Sequence, residues 1–219
     1  QATNRGKQAH GVMLVELASG QTPEALVAAL TDDAAEALGA GRLVPGPQNV
    51  APGGTQSTLV DLEAGSYVAV STVAGPTALP PAAGMVRPVT VTAAAAPDEG
   101  TALPTGPTIT LGDDEIGVPD DFDGAGLFRV ENAGEEPHEL ALYRVANDFT
   151  FAQAVAYLTA ATPPAGPSPV TPVGGIGAVS PGGEAALDLE LDFGIHVLIC
   201  FLPGADGKPH AVAKQVNLL

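Results

Sequence analysis

The chain has 219 residues and a formal net charge of −17, with eight Lys and Arg against 25 Asp and Glu. So little positive charge argues against nucleic acid or an anionic membrane surface as a partner, because phosphate groups would go unneutralised. A single cysteine excludes an intrachain disulfide, and no apolar run approaches the roughly 20 residues needed to cross a bilayer. No signal peptide opens the sequence, so an exported form would already have lost it.

Hydrophobic residues make up 45 % of the chain and aromatics 4 %, so small aliphatic side chains must fill most of a core. The 27 Gly and 21 Pro point to a turn-rich fold. In chain order, "HGVMLVEL" (10–17) reads as a strand. In "TPEALVAAL" (22–30), Thr22 suits an N-cap, Pro23 the first helical position and Glu24 the first turn. Apolar residues at 26, 27 and 30 extend the pattern, which predicts a helix from 22 to about 38. "AAAAPDEGTALPTGP" (93–107) is a linker by composition. In 108–132, Ile109 and Leu111, then Leu127 and Val130 around Phe128, predict two strands. "HELALYRV" (138–145) predicts a strand, and a second helix follows from about 150 to 160. The Pro- and Gly-rich stretch 161–177 reads as a loop and "SPGG" (180–183) as a turn. "EAALDLEL", "GIHVLICFL" and "AVAKQVNLL" then predict three strands. The expected fold is all-β: a mostly antiparallel Greek-key sandwich with short helical insertions.

The chain also aligns with itself. At a shift of 128, "NRGKQAHGVMLVEL" (4–17) lies over "NAGEEPHELALYRV" (132–145), with Asn4, Gly6 and His10 on Asn132, Gly134 and His138. With one residue inserted, 51–71 falls on 180–200; with another, "GMV" (84–86) falls on "KQV" (214–216). Two tandem repeats are expected, 1–93 and 108–219, joined by a linker at 94–107. The first lacks about two strands, so the expectation is either a fragment of a longer chain or completion of the sheet by another chain or segment that covers the edge.

Taken alone, His138 at a strand start is either a turn residue or a ligand, and Cys200 is either a small buried hydrophobe or a thiolate. The ordered set of features resembles the cupredoxins. "NAGEEPHEL" resembles their Asn-x-Gly turn leading to a Pro-His ligand, "SPGGEAALDLELDFGIHVLIC" their Pro-Gly turn and ligand Cys, and "KPHAVAKQV" their second His and axial loop. That resemblance implies a cupredoxin-like fold and one type 1 copper in the second repeat, with His138, Cys200 and His210 in the plane and Gln215 in the axial position. Nine residues separate Cys200 from His210, a loop closer to that of copper nitrite reductases than to that of many cupredoxins. Carried to the first repeat, the alignment keeps His10 and Met85 but puts Ser71 and Pro80 where a thiolate and an imidazole are needed, so no second copper is expected. His196 falls on Tyr67 and is expected to be structural.

Two functions follow. One is a secreted or periplasmic copper protein for electron transfer or copper handling, meeting a redox partner or copies of itself. The other is a metal-free structural or interaction protein built of cupredoxin-like sandwiches. A multicopper enzyme would need paired histidines, whereas the four here are scattered singly.

Overall fold

A computed structural model describes residues 1–32, 41–73, 86–93, 102–162, 164–204, 210 and 213–218. The architecture is all-β. In the C-terminal half one sheet runs β12 (Val170–Val179), β11 (His138–Val145), β14 (Gly194–Ile199), β15 (Ala213–Leu218). It faces a second sheet, β5 (Thr58–Leu59), β13 (Glu184–Glu190), β10 (Ala125–Asn132), β8 (Thr108–Leu111), β9 (Ile116–Gly117). Alternation along the strands sends Leu140, Leu142, Ile176 and Leu198 from the first sheet against Ile109, Phe128, Val130 and Leu187 from the second. All named strand pairs are antiparallel except β8 with β10. The other face of β11 is buried too: Ala141, Tyr143 and Val145 pack with Ala154 and Leu158 of a helix, α2 (Phe151–Leu158). Thr150 and Gln153 close its first turn as a reciprocal capping box.

The N-terminal half builds a four-stranded sheet with the matching order: β3 (Arg42–Val44), β2 (His10–Glu16), β6 (Gly65–Val73), β7 (Val86–Val91). Its helix, α1, spans Pro23–Asp32 and begins with Ala25 N–H donating to Thr22 Oγ1, as an N-cap threonine requires. The expected continuation over 33–38 lies outside the described residues. Among the described residues the facing sheet here is a remnant, β1 (Ala2–Thr3) with β4 (Thr55–Gln56). Ala2 pairs with Gln56 as Val130 pairs with Ala185 in the other half.

The cover comes from within the chain. Strand β5 joins the edge of β13, with Leu59 opposite Ala186. The apolar face of the first sheet (Met13, Val15, Leu43, Val68, Val70) forms one cluster with Ala178, Cys200 and Leu202 of the C-terminal half. Backbone bonds stitch the two together, Gln48 N–H to Gly175 O at 3.1 Å and Gly177 N–H to Gly46 O at 2.9 Å.

Two expectations need correction. The stretch 161–177 is not all loop, because from Val170 it is the ten-residue strand β12. Its Pro172, Gly174 and Gly175 disguise it. They sit on the sheet's outer strand, beside a register shift, where a missing N–H and an unusual φ are tolerated. Gly175 has φ 144°, and a Cβ there would collide with the Leu140 carbonyl. The alignment of "GMV" on "KQV" is also displaced. Pro88 opposes Val68 and Gln215 opposes Val197, so Pro88, not Met85, is the counterpart of Gln215 by register. Three-residue matches cannot fix register across two intervening segments of different length.

Candidate metal centre

The Asn-Gly corner is the foundation. Asn132 is fully buried and donates from Nδ2 to the carbonyls of Glu136 and Val179, both at 2.8 Å, while its Oδ1 accepts Gly134 N–H at 2.9 Å. Its backbone exchanges bonds with Gly182 and Gly183 of the Pro-Gly turn. One side chain thus ties three segments together and fixes where residues 134–138 run, so that His138 enters β11 pointing inward.

There it meets the cysteine. Cys200 Sγ lies 3.7 Å from His138 Nδ1 and 3.9 Å from His210 Nδ1. The three donor atoms all fall within 4.8 Å of one another, and the two rings lie at a 38° tilt with centroids 4.6 Å apart. His138 is 2 % exposed and Cys200 1 %. The fourth residue expected here, Gln215, stands in β15 opposite Val197, three positions before Cys200; its side chain lies outside the described residues.

Each imidazole is held from behind. His138 donates from Nε2 to Asp113 Oδ1 at 2.9 Å, and His210 donates from Nε2 to Glu136 Oε2. With Nε2 carrying the proton, both Nδ1 atoms present lone pairs toward the sulfur. The hydrogen bond from His138, followed by the backbone N–H of Glu135, holds Asp113 below the usual carboxylate range. The thiol behaves oppositely. Burial, reinforced by the charge of Glu139, pushes Cys200 up to about 12, while the N–H groups of Glu139 and Leu202 pull the other way. A free thiol here keeps its proton at neutral pH, and a metal ion is what would displace it. Glu139 is itself buried, held by Gln48 Nε2 at 3.0 Å and Phe201 N–H at 3.3 Å; burial raises its carboxyl to about 7.

Asp113, Glu136, Glu139 and Gln48 were not apparent from sequence. Asp113 sits in the acidic run "GDDE", which reads as a solvated loop, and only the β8–β9 fold-back brings it to His138. Glu136, two residues before His138, was the more accessible signal.

The donor set suits copper. Bonds of about 2 Å to nitrogen and about 2.3 Å to sulfur sum to roughly 4 Å, so separations of 3.7 and 3.9 Å can be bridged by one ion. Two imidazoles and one thiolate are the donor set of an electron-transfer copper, and among the described residues no carboxylate joins the cluster.

The N-terminal half repeats the corner without the donors. Asn4 donates to the carbonyls of Gln8 and Val50 and accepts Gly6 N–H, as Asn132 does with residues 128 or 129 positions on. Ser71 takes the cysteine's place, its Oγ 3.4 Å from His10 Nδ1 and donating to Gly11 O at 3.1 Å. Met85 and Pro80 lie outside the described residues. His196 occupies the position that matches Tyr67 and is fully buried.

No protein-family model and no curated protein sequence matches the chain. Among solved structures, a dithionite-reduced auracyanin from the photosynthetic bacterium Roseiflexus castenholzii is similar at 15 % identity and a TM-score of 0.31, covering 50 % of this chain and 93 % of its own. A blue copper oxidase from Nitrosomonas europaea is similar at 14 % identity and a TM-score of 0.22, covering 98 % of this chain and 71 % of its own. At such scores the weight rests on the chain's own residues.

Proposed function

We propose that the protein is a cupredoxin-like electron-transfer or copper-handling protein that holds one type 1 copper ion in its C-terminal half. His138 Nδ1, Cys200 Sγ and His210 Nδ1 would hold the ion, and Gln215 is the candidate for a fourth, weaker ligand. Copper bound there supplies one-electron redox chemistry with little change of geometry between oxidation states. The chain's own residues do the rest. Asn132 fixes the corner, the apolar cluster of Met13, Val15 and Leu202 keeps water from the sulfur, and two carboxylates orient the rings.

The observation that carries this reading is convergence: two imidazoles far apart in sequence turn the same nitrogen toward the chain's one thiol, at 3.7 and 3.9 Å. In this reading the halves are tandem repeats, 1–93 and 108–219 about a linker at 94–107, and the first is a scaffold with the frame and no site. A secreted or periplasmic setting, and a protein redox partner, go with a copper carrier of this kind; among the described residues no helix is long and apolar enough to cross a membrane.

The test is addition of Cu(II) to the purified protein. Wild type should turn intensely blue through thiolate-to-copper charge transfer, at one ion per chain, and Cys200→Ser should stay colourless. A colourless wild type that binds no copper hands the case to the metal-free structural reading.

A further inference from the structure

Both carboxylate–imidazole pairs are built with unusual care. The Asp113 carboxylate does not merely meet His138. It also accepts Glu135 N–H at 3.1 Å and Glu136 N–H at 3.2 Å, so its position is fixed by three donors. Space for each pair is kept by a glycine. A Cβ on Gly134 would sit 2.8 Å from His138 Nε2 and strike the Asp113 carboxylate. A Cβ on Gly204 would sit 2.9 Å from His210 Nε2 and 3.0 Å from Glu136 Oε2. Any other residue at either position would push acid and ring apart.

The N-terminal half serves as an internal control for Glu136. Its corner is the same down to the three bonds of the asparagine, yet the residue 128 positions before Glu136 is Gln8. The corner therefore folds without an acid at that position. The acid accompanies the Cys–His donor set, which points to a role toward the donors and not toward the turn.

We propose that Asp113 and Glu136 are positioning residues that hold both imidazoles as Nδ1 donors and bias the site toward Cu(II), giving a copper of low reduction potential; this rests on the copper reading above. The physical cause is charge. Each carboxylate places a negative charge one ring-width from the metal position and makes its imidazole a stronger donor. The thiolate and two such rings stabilise the doubly charged ion more than the singly charged one. The rings and the sulfur are buried, whereas the Asp113 and Glu136 side chains are 40 % and 29 % exposed, so water screens part of each charge and the hydrogen-bonded ring carries the rest of the effect. The protein then gives up its electron readily, and suits an acceptor of higher potential.

The experiment is a redox titration of the copper-loaded full chain, following the blue band, on wild type, Asp113→Asn, Glu136→Gln and the double variant. Glu115→Gln, an exposed acid in the same loop that touches neither ring, controls for overall charge. Each ring-facing substitution should shift the Cu(II)-to-Cu(I) affinity ratio at least tenfold toward Cu(I), a rise of at least about 59 mV for a one-electron couple. The double variant should rise further and Glu115→Gln should stay with wild type. Competition with chelators specific for each oxidation state should show the loss falling mainly on Cu(II). A blue wild type whose potential is unmoved by both substitutions overturns this inference while leaving the copper reading intact. So does a variant weakened equally toward both ions, which would make the acids supports only. A colourless wild type overturns the copper reading and this one with it.

Discussion

The two halves share a corner and differ in what it carries. Asn4 and Asn132 make the same three hydrogen bonds, and His10 and His138 enter equivalent strands from them. Beyond the histidine they diverge. In the C-terminal half the neighbour is a thiol with a second imidazole across it; in the N-terminal half it is a serine hydroxyl that spends its proton on the Gly11 carbonyl. The asparagine corner is thus a structural device that exists without metal chemistry, and the chemistry is set by a few substitutions upon it.

The sharpest way to break that contrast is to restore sulfur to the N-terminal half. Ser71→Cys in a Cys200→Ser background should remain colourless with Cu(II), because the stretch 74–85 contains no histidine to complete the donor set. A blue band from that protein would mean the frame alone suffices, and would erase the distinction between the halves.

The next effect is on stability. Asn132→Ala strands two buried carbonyls and the Gly134 N–H, and should cost about 2–4 kcal/mol by denaturant titration of the apo protein. Asn4→Ala removes the same bonds from a corner that is 7 % exposed and should cost less, since water can reach part of it. Equal costs would show that burial of the corner is immaterial.

The smallest effect separates Tyr67 from His196. The Tyr67 hydroxyl donates to the Glu63 carbonyl at 2.8 Å, whereas the His196 ring is fully buried. Burial, with the charge of Arg144 and against a backbone hydrogen bond at Gly194 and the charge of Asp192, depresses His196 below its ordinary value of 6.5. The folded state therefore binds fewer protons than the unfolded one in acid, and stability falls as pH drops below about 6.5, by at most about 1.4 kcal/mol per pH unit from this group. His196→Tyr should flatten that part of the pH–stability curve. Unchanged acid sensitivity would locate its source elsewhere.

Much of this layout was legible from sequence, and the failures have physical causes. Strands β2, β10, β11 and β14 announce themselves because each has at least one buried face and few breakers. Strand β12 was hidden, since proline and glycine lower local strand preference while an outer strand held by β11 tolerates both. Of the site, His138, Cys200 and His210 stood in recognisable turns and strand ends. Asp113 did not, because its contact with His138 spans 25 residues and depends on how β8 and β9 fold back. The completion of the first sheet by Ala178, Cys200 and Leu202 was equally invisible. Periodicity says which face of a strand is buried, and is silent on what buries it.

The central claim is that one copper ion sits among His138, Cys200 and His210. X-ray absorption at the copper edge of the loaded wild-type protein tests it directly. The predicted first shell contains one sulfur and two imidazole nitrogens, with the sulfur missing from Cys200→Ser. A shell of nitrogen and oxygen alone, unchanged by that substitution, would place the metal elsewhere and contradict the account.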